Sequence, residues 1–225
     1  MVTYTFLGLN SYFQGHFLYR FHMSLNTPYA SVRQADGAGR QAVVDVFTEA
    51  FMDDPVACWL FPEADERSRL QPHFYRSLLT HPAGEAYLAG RSEGASLWLR
   101  PAAGQSPHGE YAEAPEGDPP ADFGAGGARL RALGRELARR HPDGEPHLYL
   151  ACMGVVARRQ GAGLGSAMLR HRLERADADG TAAYLEASSA RSRALYQRYG
   201  FEDLGAPVRV ADGPPLWPMR RRPRR

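Results

Sequence analysis

The chain has no lysine and no isoleucine, and asparagine occurs only at Asn10 and Asn26. All 27 basic side chains are therefore arginine. Without lysine no Schiff base can form on a carbonyl substrate. That excludes pyridoxal phosphate in its usual linkage and class I aldolase chemistry. A phosphate-binding P-loop would lack its lysine. Cysteine is scarce as well: Cys58 and Cys152 are too few and too far apart in sequence for a disulfide framework or a zinc cluster. No pair among the eight histidines forms HExxH, so the zinc-protease signal is missing and no metal is expected. No apolar run approaches the roughly 20 residues that cross a bilayer. The reading is of a soluble, cytoplasmic protein.

What remains is a globular composition. Of 225 residues 44% are hydrophobic and 11% aromatic, enough for one domain with a sizeable core. The net charge of +2 is unevenly placed. Five arginines stand between 220 and 225, and removing them from the 27 leaves 22 basic side chains against 25 acidic ones. The body is thus mildly acidic with a basic tail, which reads as a solvated, frayed terminus. Nucleic-acid binding needs a larger basic face. Residues 1–22 read as a vector-derived leader, because Asn10 to His16 imperfectly resembles a viral protease site used to remove expression tags. The fold is therefore sought in 23–225 as a single domain.

Periodicity divides that stretch. A short strand is predicted over Ala30 to Gln34 and a helix over Arg40 to Phe51, broken by Pro55. A second amphipathic helix runs from Arg67 to Thr80. Glu85 to Arg91 and Ala95 to Arg100 form a hairpin around Ser92-Glu93-Gly94. Residues 101–126 are rich in Pro, Gly and acid, with Glu110, Glu113, Glu116, Asp118 and Asp122 and no arginine, and read as a long loop over a site. Gly127 to Arg140 is helical.

The chemistry lies further on. His147 to Val155 reads as a buried strand, and Ser166 to Ala178 as a helix. Between them stands Gln160-Gly-Ala-Gly-Leu-Gly165. A strand that passes through glycines into a helix N-terminus presents backbone N–H groups without intrahelical partners, at the positive end of a dipole. Glycines let a bulky anion approach the backbone, so the turn suits a pyrophosphate. It is not a dinucleotide fingerprint. The sixth position of G-x-G-x-x-G is Ser166 counted from Gly161 and Met168 counted from Gly163. Downstream, Ala182 to Ser188 is a strand and Ala190 to Tyr199 a helix that Gly200 stops.

Gln160-x-x-Gly163-x-Gly165 after a strand and before a helix resembles the signature of the GNAT superfamily of acyl-CoA-dependent N-acyltransferases. Ala194-Leu-Tyr-Gln-Arg-Tyr-Gly-Phe201 resembles the L-Y-x-x-x-G-F segment of the same family. Within it, the stretch from about Leu148 to Arg220, including Leu185-Glu-Ala-Ser188 and the ending Gly213-Pro-Pro-Leu-Trp-Pro-Met219, is similar to puromycin N-acetyltransferase-like proteins. The resemblance implies an α/β fold: a mixed, strongly twisted sheet of six or seven strands flanked by about four helices, with the strands of Val155 and Glu186 splayed to admit acetyl-CoA.

It also implies roles. Backbone groups of Met153, Gly154 and Val155 would pair with the pantetheine arm. Amides of Gln160, Gly161, Ala162, Gly163, Leu164, Gly165 and Ser166 would hold the pyrophosphate. Ser189 and Ser192 stand where many members carry an asparagine, and would bond the coenzyme from there. Tyr196 occupies the position of the family's tyrosine, which protonates the leaving thiolate. A phenol of pKa near 10 is a fit donor to a thiolate of pKa about 8–9. Glu186 is the candidate general base, with Tyr149 and His147 as alternatives. His147, at a strand start, otherwise reads as a surface or capping residue. Cys152 reads as a small core residue, because a nucleophile needs an adjacent base and none is evident.

The expected activity is acetyl transfer to the primary amine of a small molecule, an antibiotic or other amine metabolite, in a ternary complex. The expected partners include neither nucleic acid nor membrane, and the chain is a monomer or homodimer. Trp59, Phe61, Tyr75, Trp98 and Tyr111 are available to wall an aromatic acceptor pocket. The alternatives are acetylation of a peptide or protein amine and a non-catalytic acyl-CoA-binding module.

Overall fold

The computed structural model describes residues 31–101, 107, 123, 126–142 and 144–224. The 1–22 leader, Ala30, Tyr111 and the acidic residues between 110 and 122 lie outside the described residues. Seven strands form one sheet in the order β1-β2-β3-β4-β5-β7-β6. They are β1 (Val32–Gln34), β2 (Gly84–Ala89), β3 (Gly94–Leu99), β4 (His147–Val155), β5 (Ala182–Ala187), β6 (Glu202–Asp203) and β7 (Trp217–Arg221). Every neighbouring pair is antiparallel except β4 and β5. Six helices are found among the described residues, against about four expected: α1 (Gly39–Ala50), α2 (Pro55–Leu60), α3 (Ala64–Leu79), α4 (Gly126–Arg140), α5 (Leu164–Ala178) and α6 (Ala190–Arg198).

The undercount has a local cause. Pro55 was expected only to break α1, but it stands in the first turn of α2, where a missing N–H costs nothing. Asp54 caps that helix by accepting from the Val56 and Ala57 amides. The buried Arg67 guanidinium holds the segment in place, donating to the carbonyls of Met52 at 2.9 Å and Phe61 at 2.8 Å.

Alternation along the strands feeds two cores. Leu148 and Leu150 pack with Trp98, Leu169, Leu173 and Tyr196 on one side of the sheet. On the other side Tyr149 packs with Phe47, Tyr75, Leu88, Leu97 and Tyr184. Trp98, expected in an aromatic acceptor pocket, is instead 1% exposed within the first of these cores. Helix α1 comes close to β4 because residue 154 is glycine, since a Cβ there would lie 2.7 Å from that of Ala50.

The basic tail is not frayed. Arg221, 3% exposed, lies in β7 and donates both guanidinium nitrogens to Asp177, and the backbone N–H of Arg224 donates to the same carboxylate. Among the described residues no helix is long and apolar enough to cross a membrane.

Candidate active site

Strands β4 and β5 pair in parallel only from His147 to Tyr149, opposite Ala182 to Tyr184. Beyond that point β5 keeps only β7, on its other edge, while β4 keeps β3 on its other edge up to Val155. The register against β3 skips Ala151, so β4 carries a bulge where the separation begins. From Leu150 to Val155 one edge of β4 therefore faces a cleft instead of a strand. The expected splay of the strands holding Val155 and Glu186 is found, and the sheet geometry is its cause. Met153, Gly154 and Val155 all line the cleft.

At the end of β4 a short 3-10 turn, Ala157–Arg159, leads into the glycines. Gly161 and Gly163 both have φ +84°, a left-handed conformation that a Cβ would strain. Nothing lies within 4 Å of where their Cβ atoms would be, so the demand is conformational rather than steric. The first bond of the α5 ladder runs from Ala167 N–H to Gly163 C=O. The amides of Leu164, Gly165 and Ser166 precede it at the positive end of the helix. Gln160 ties this turn to its surroundings: Nε2 donates to Val155 C=O at 3.4 Å, and Oε1 accepts from Arg191 at 2.8 Å. Arg159 and Arg191 line the same end of the cleft. An open strand edge that runs into a solvent-facing cationic glycine turn fits a pantetheine arm with its pyrophosphate.

Ser189 and Ser192 also line the cleft, but each serves the start of α6. The Ser189 hydroxyl accepts from the Ser192 amide at 3.1 Å, and the Ser192 hydroxyl accepts from the Ser189 amide at 3.2 Å. This capping box fixes the helix that carries Tyr196. Tyr196 is buried, lies edge-on to Phe201 at 5.9 Å between ring centroids, and lines the cleft. Burial raises its pKa, and the nearby Asp54 carboxylate adds to that, so the phenol keeps its proton at neutral pH.

Glu186 points into the cleft, where Tyr149 donates its phenol to Oε2 at 2.8 Å. Tyr149 is held well above the ordinary phenol range by burial and by that carboxylate, so it is a donor to Glu186 rather than a base. His147 is not at the surface. It is buried, with Nε2 2.9 Å from Nε2 of His141 and Nδ1 3.0 Å from Glu145 C=O. Cys152 is a wall residue of the cleft more than a sealed core residue, and burial pushes its thiol up to about 12. It stays neutral, as a spectator would.

Sequence reasoning missed Asp54. Its Oδ1 caps α2, and its Oδ2 accepts the hydroxyl of Ser188, at the end of β5, at 2.6 Å. Burial raises its pKa against the hydrogen bonds that lower it. Its charge is felt by Tyr75, Cys152 and Tyr196, and it lines the same cleft as the expected proton donor. The sequence held one signal, an acidic residue immediately before a proline at a helix start. That pattern announces a cap, not a cleft. Phe61 and Tyr75 line the cleft as expected, whereas the Trp59 indole bonds to Asp212 at 2.9 Å. Among the described residues no group of three or more His, Cys, Asp or Glu is placed to hold a metal.

The model of the Acetyltransferase (GNAT) family matches residues 109–201. A solved structure from Corynebacterium glutamicum, described as histone acetyltransferase HPA2 and related acetyltransferase, is 30% identical with a TM-score of 0.65. It covers 88% of this chain and 98% of its own. Arylalkylamine N-acetyltransferase 2 from Aedes aegypti shares the fold at 13% identity and a TM-score of 0.61, covering 87% of this chain and 99% of its own. An agmatine N-acetyltransferase does so at 16% and 0.59, covering 86% and 99%.

Proposed function

Because the chain belongs to the GNAT acetyltransferase family and is an N-acetyltransferase, we propose that it moves the acetyl group of acetyl-CoA onto the primary amine of a small molecule, with both substrates bound together. The observation that carries this reading is the convergence of the unpaired β4 edge, the glycine turn, Tyr196, Glu186 and Asp54 on one cleft. Acetyl-CoA supplies an activated thioester. The β4 edge at Met153 to Val155 holds its arm as an added strand would be held. The amides from Gln160 to Ser166 receive the pyrophosphate.

The amine enters as an ammonium and must lose a proton before its nitrogen attacks the acetyl carbon. Glu186, expected from sequence to be the base, has Oε2 engaged by Tyr149 and supplies negative charge that holds the ammonium. A backbone N–H near Val155 polarises the carbonyl oxygen. As the carbon–sulfur bond breaks, the Tyr196 phenol gives its proton to the sulfur and regains one when the attacking nitrogen loses its second proton in becoming the amide. Cys152 takes no part, so no acyl-enzyme forms.

The likeness to puromycin N-acetyltransferase-like proteins makes amine-bearing antibiotics natural acceptors to try, and the agmatine and arylalkylamine enzymes of the same fold point to small amines. One observation favours a second reading, a protein amine as acceptor: the 30% identical relative is described as a histone acetyltransferase. Thiol release from acetyl-CoA decides between them with a panel of small amines, antibiotics and histone-like peptides. Turnover confined to peptides overturns the small-molecule reading. No turnover with any acceptor overturns the enzyme reading in favour of a binding module.

A further inference from the structure

Beyond Asp54 the cleft does not end. The cavity, about 880 Å³ in all, continues between α2, α3 and α4, where Leu60, Phe61, Phe74, Leu130, Leu133 and Leu137 form its wall. Among the described residues, the charged side chains that line the cavity (Glu49, Asp53, Asp54, Arg159, Glu186, Arg191 and Arg198) all lie outside α2, α3 and α4. Arg159 and Arg191 stand by the glycine turn, and Asp54 and Glu186 stand at the neck. The cavity therefore runs from a polar groove at the glycine turn, past the Asp54 and Glu186 carboxylates, to an apolar lobe.

We propose that the acceptor is a monoamine with an extended apolar body: its ammonium sits at the neck and its body fills the lobe between α2, α3 and α4. This rests on the reading of the cleft as an amine acetyltransferase site and names the substrate class. Apolar area removed from water in the lobe stabilises the complex in proportion to chain length. Among the described residues of α2, α3 and α4, a second cation on the same molecule would meet no counter-charge in the lobe, which is strongly unfavourable. The neck selects for one charge and the lobe selects against two. Polyamines and other dications, which suit an acidic surface, do not suit this interior.

The test uses the full chain and a matched series: butylamine, hexylamine, octylamine and 1,8-diaminooctane. The expected result is that kcat/KM rises by about fourfold per methylene until the lobe is filled. The diamine is expected to fall about 100-fold below octylamine. A flat dependence on length, or a diamine equal to octylamine, overturns the proposal. Leu133→Glu is expected to raise the diamine-to-octylamine ratio at least about 10-fold by supplying a partner to the second cation. Leu133→Phe is expected to shorten the preferred chain. Acetyl-CoA affinity by calorimetry reports whether each variant is folded. If wild-type protein turns over no amine, the acetyltransferase reading fails. Calorimetric binding of the same series in the presence of coenzyme A still judges the lobe: length-dependent binding supports it, and no binding, or binding blind to length, overturns it.

Discussion

The Ser188 hydroxyl donates to Asp54 Oδ2 across 2.6 Å, joining residues 134 positions apart in the chain. One end of this bond is the last turn before α6, which carries Tyr196. The other is the cap of α2, which opens the acceptor lobe. The bond therefore ties the segment that leads into the expected proton donor's helix to the Asp54 carboxylate. Replacing Ser188 by Ala is expected to lower kcat by about 10-fold while leaving acetyl-CoA affinity unchanged, since a lost hydrogen bond to a charged group is worth 1.5–3 kcal/mol. Stopped assays of thiol release and calorimetry read the two quantities separately.

Removal of the Tyr196 hydroxyl should cost much more. Tyr196→Phe keeps the ring that packs on Phe201 and deletes only the proton. A loss of about 10²–10⁴ in kcat is expected, with coenzyme binding retained. Retention of more than a tenth of wild-type turnover would show that water, not Tyr196, protonates the leaving sulfur.

The pH profile assigns the base. Asp54 has its pKa raised by burial, and it must be deprotonated to act. Activity should thus rise with pH through an acid limb set higher than an ordinary aspartate would give. Asp54→Asn is expected to remove that limb along with most of kcat/KM. Glu186→Gln should raise KM for the amine and keep the limb. If Glu186→Gln removes the limb instead, the two carboxylates exchange roles.

Gly163 tests the phosphate turn without touching the acceptor. Alanine there meets no atom within 4 Å, so only the φ of +84° opposes it. The strain is about 1–2 kcal/mol. It should appear as a several-fold rise in KM for acetyl-CoA with kcat nearly unchanged. A clean fall in kcat with KM constant would mean that the turn is not where the coenzyme binds.

Arg221 and Asp177 predict how stability depends on acid. The two guanidinium bonds hold the Asp177 carboxyl below its ordinary range, so their contribution is present above that range and is lost as pH falls through the lowered value. Asp177→Asn leaves the buried Arg221 unpaired and is expected to cost about 3 kcal/mol, seen as a fall of roughly 10 °C in Tm. The difference between variant and wild type should shrink in acid. A constant difference from pH 7 to pH 2.5 by thermal melts would contradict the pairing.

Much of this molecule was legible in the chain. Helix α5 and the turn before it follow from Gly161, Gly163 and Gly165 beside an apolar strand, because local conformation there is set by residues next to one another. Helix α6 likewise stands between two recognisable ends, whereas the role of Tyr196 on it comes from the resemblance of Ala194 to Phe201 to the family segment. Helix α2 was not found, because a proline reads equally as a stop and as a first turn. Trp98 was misplaced, because in a strand with both faces buried the alternation does not say which core a side chain enters.

The sequence by itself determined most of the elements up to α6, the glycine turn and the exclusion of lysine chemistry, since each depends on neighbouring residues or on composition. Only the tertiary structure decided what surrounds the reaction. It brought Asp54 to Ser188, buried His147 against His141, folded the tail arginines onto Asp177, and left one edge of β4 without a partner. Those relationships join residues far apart in the chain. Packing and strand register, which no local pattern encodes, place them together.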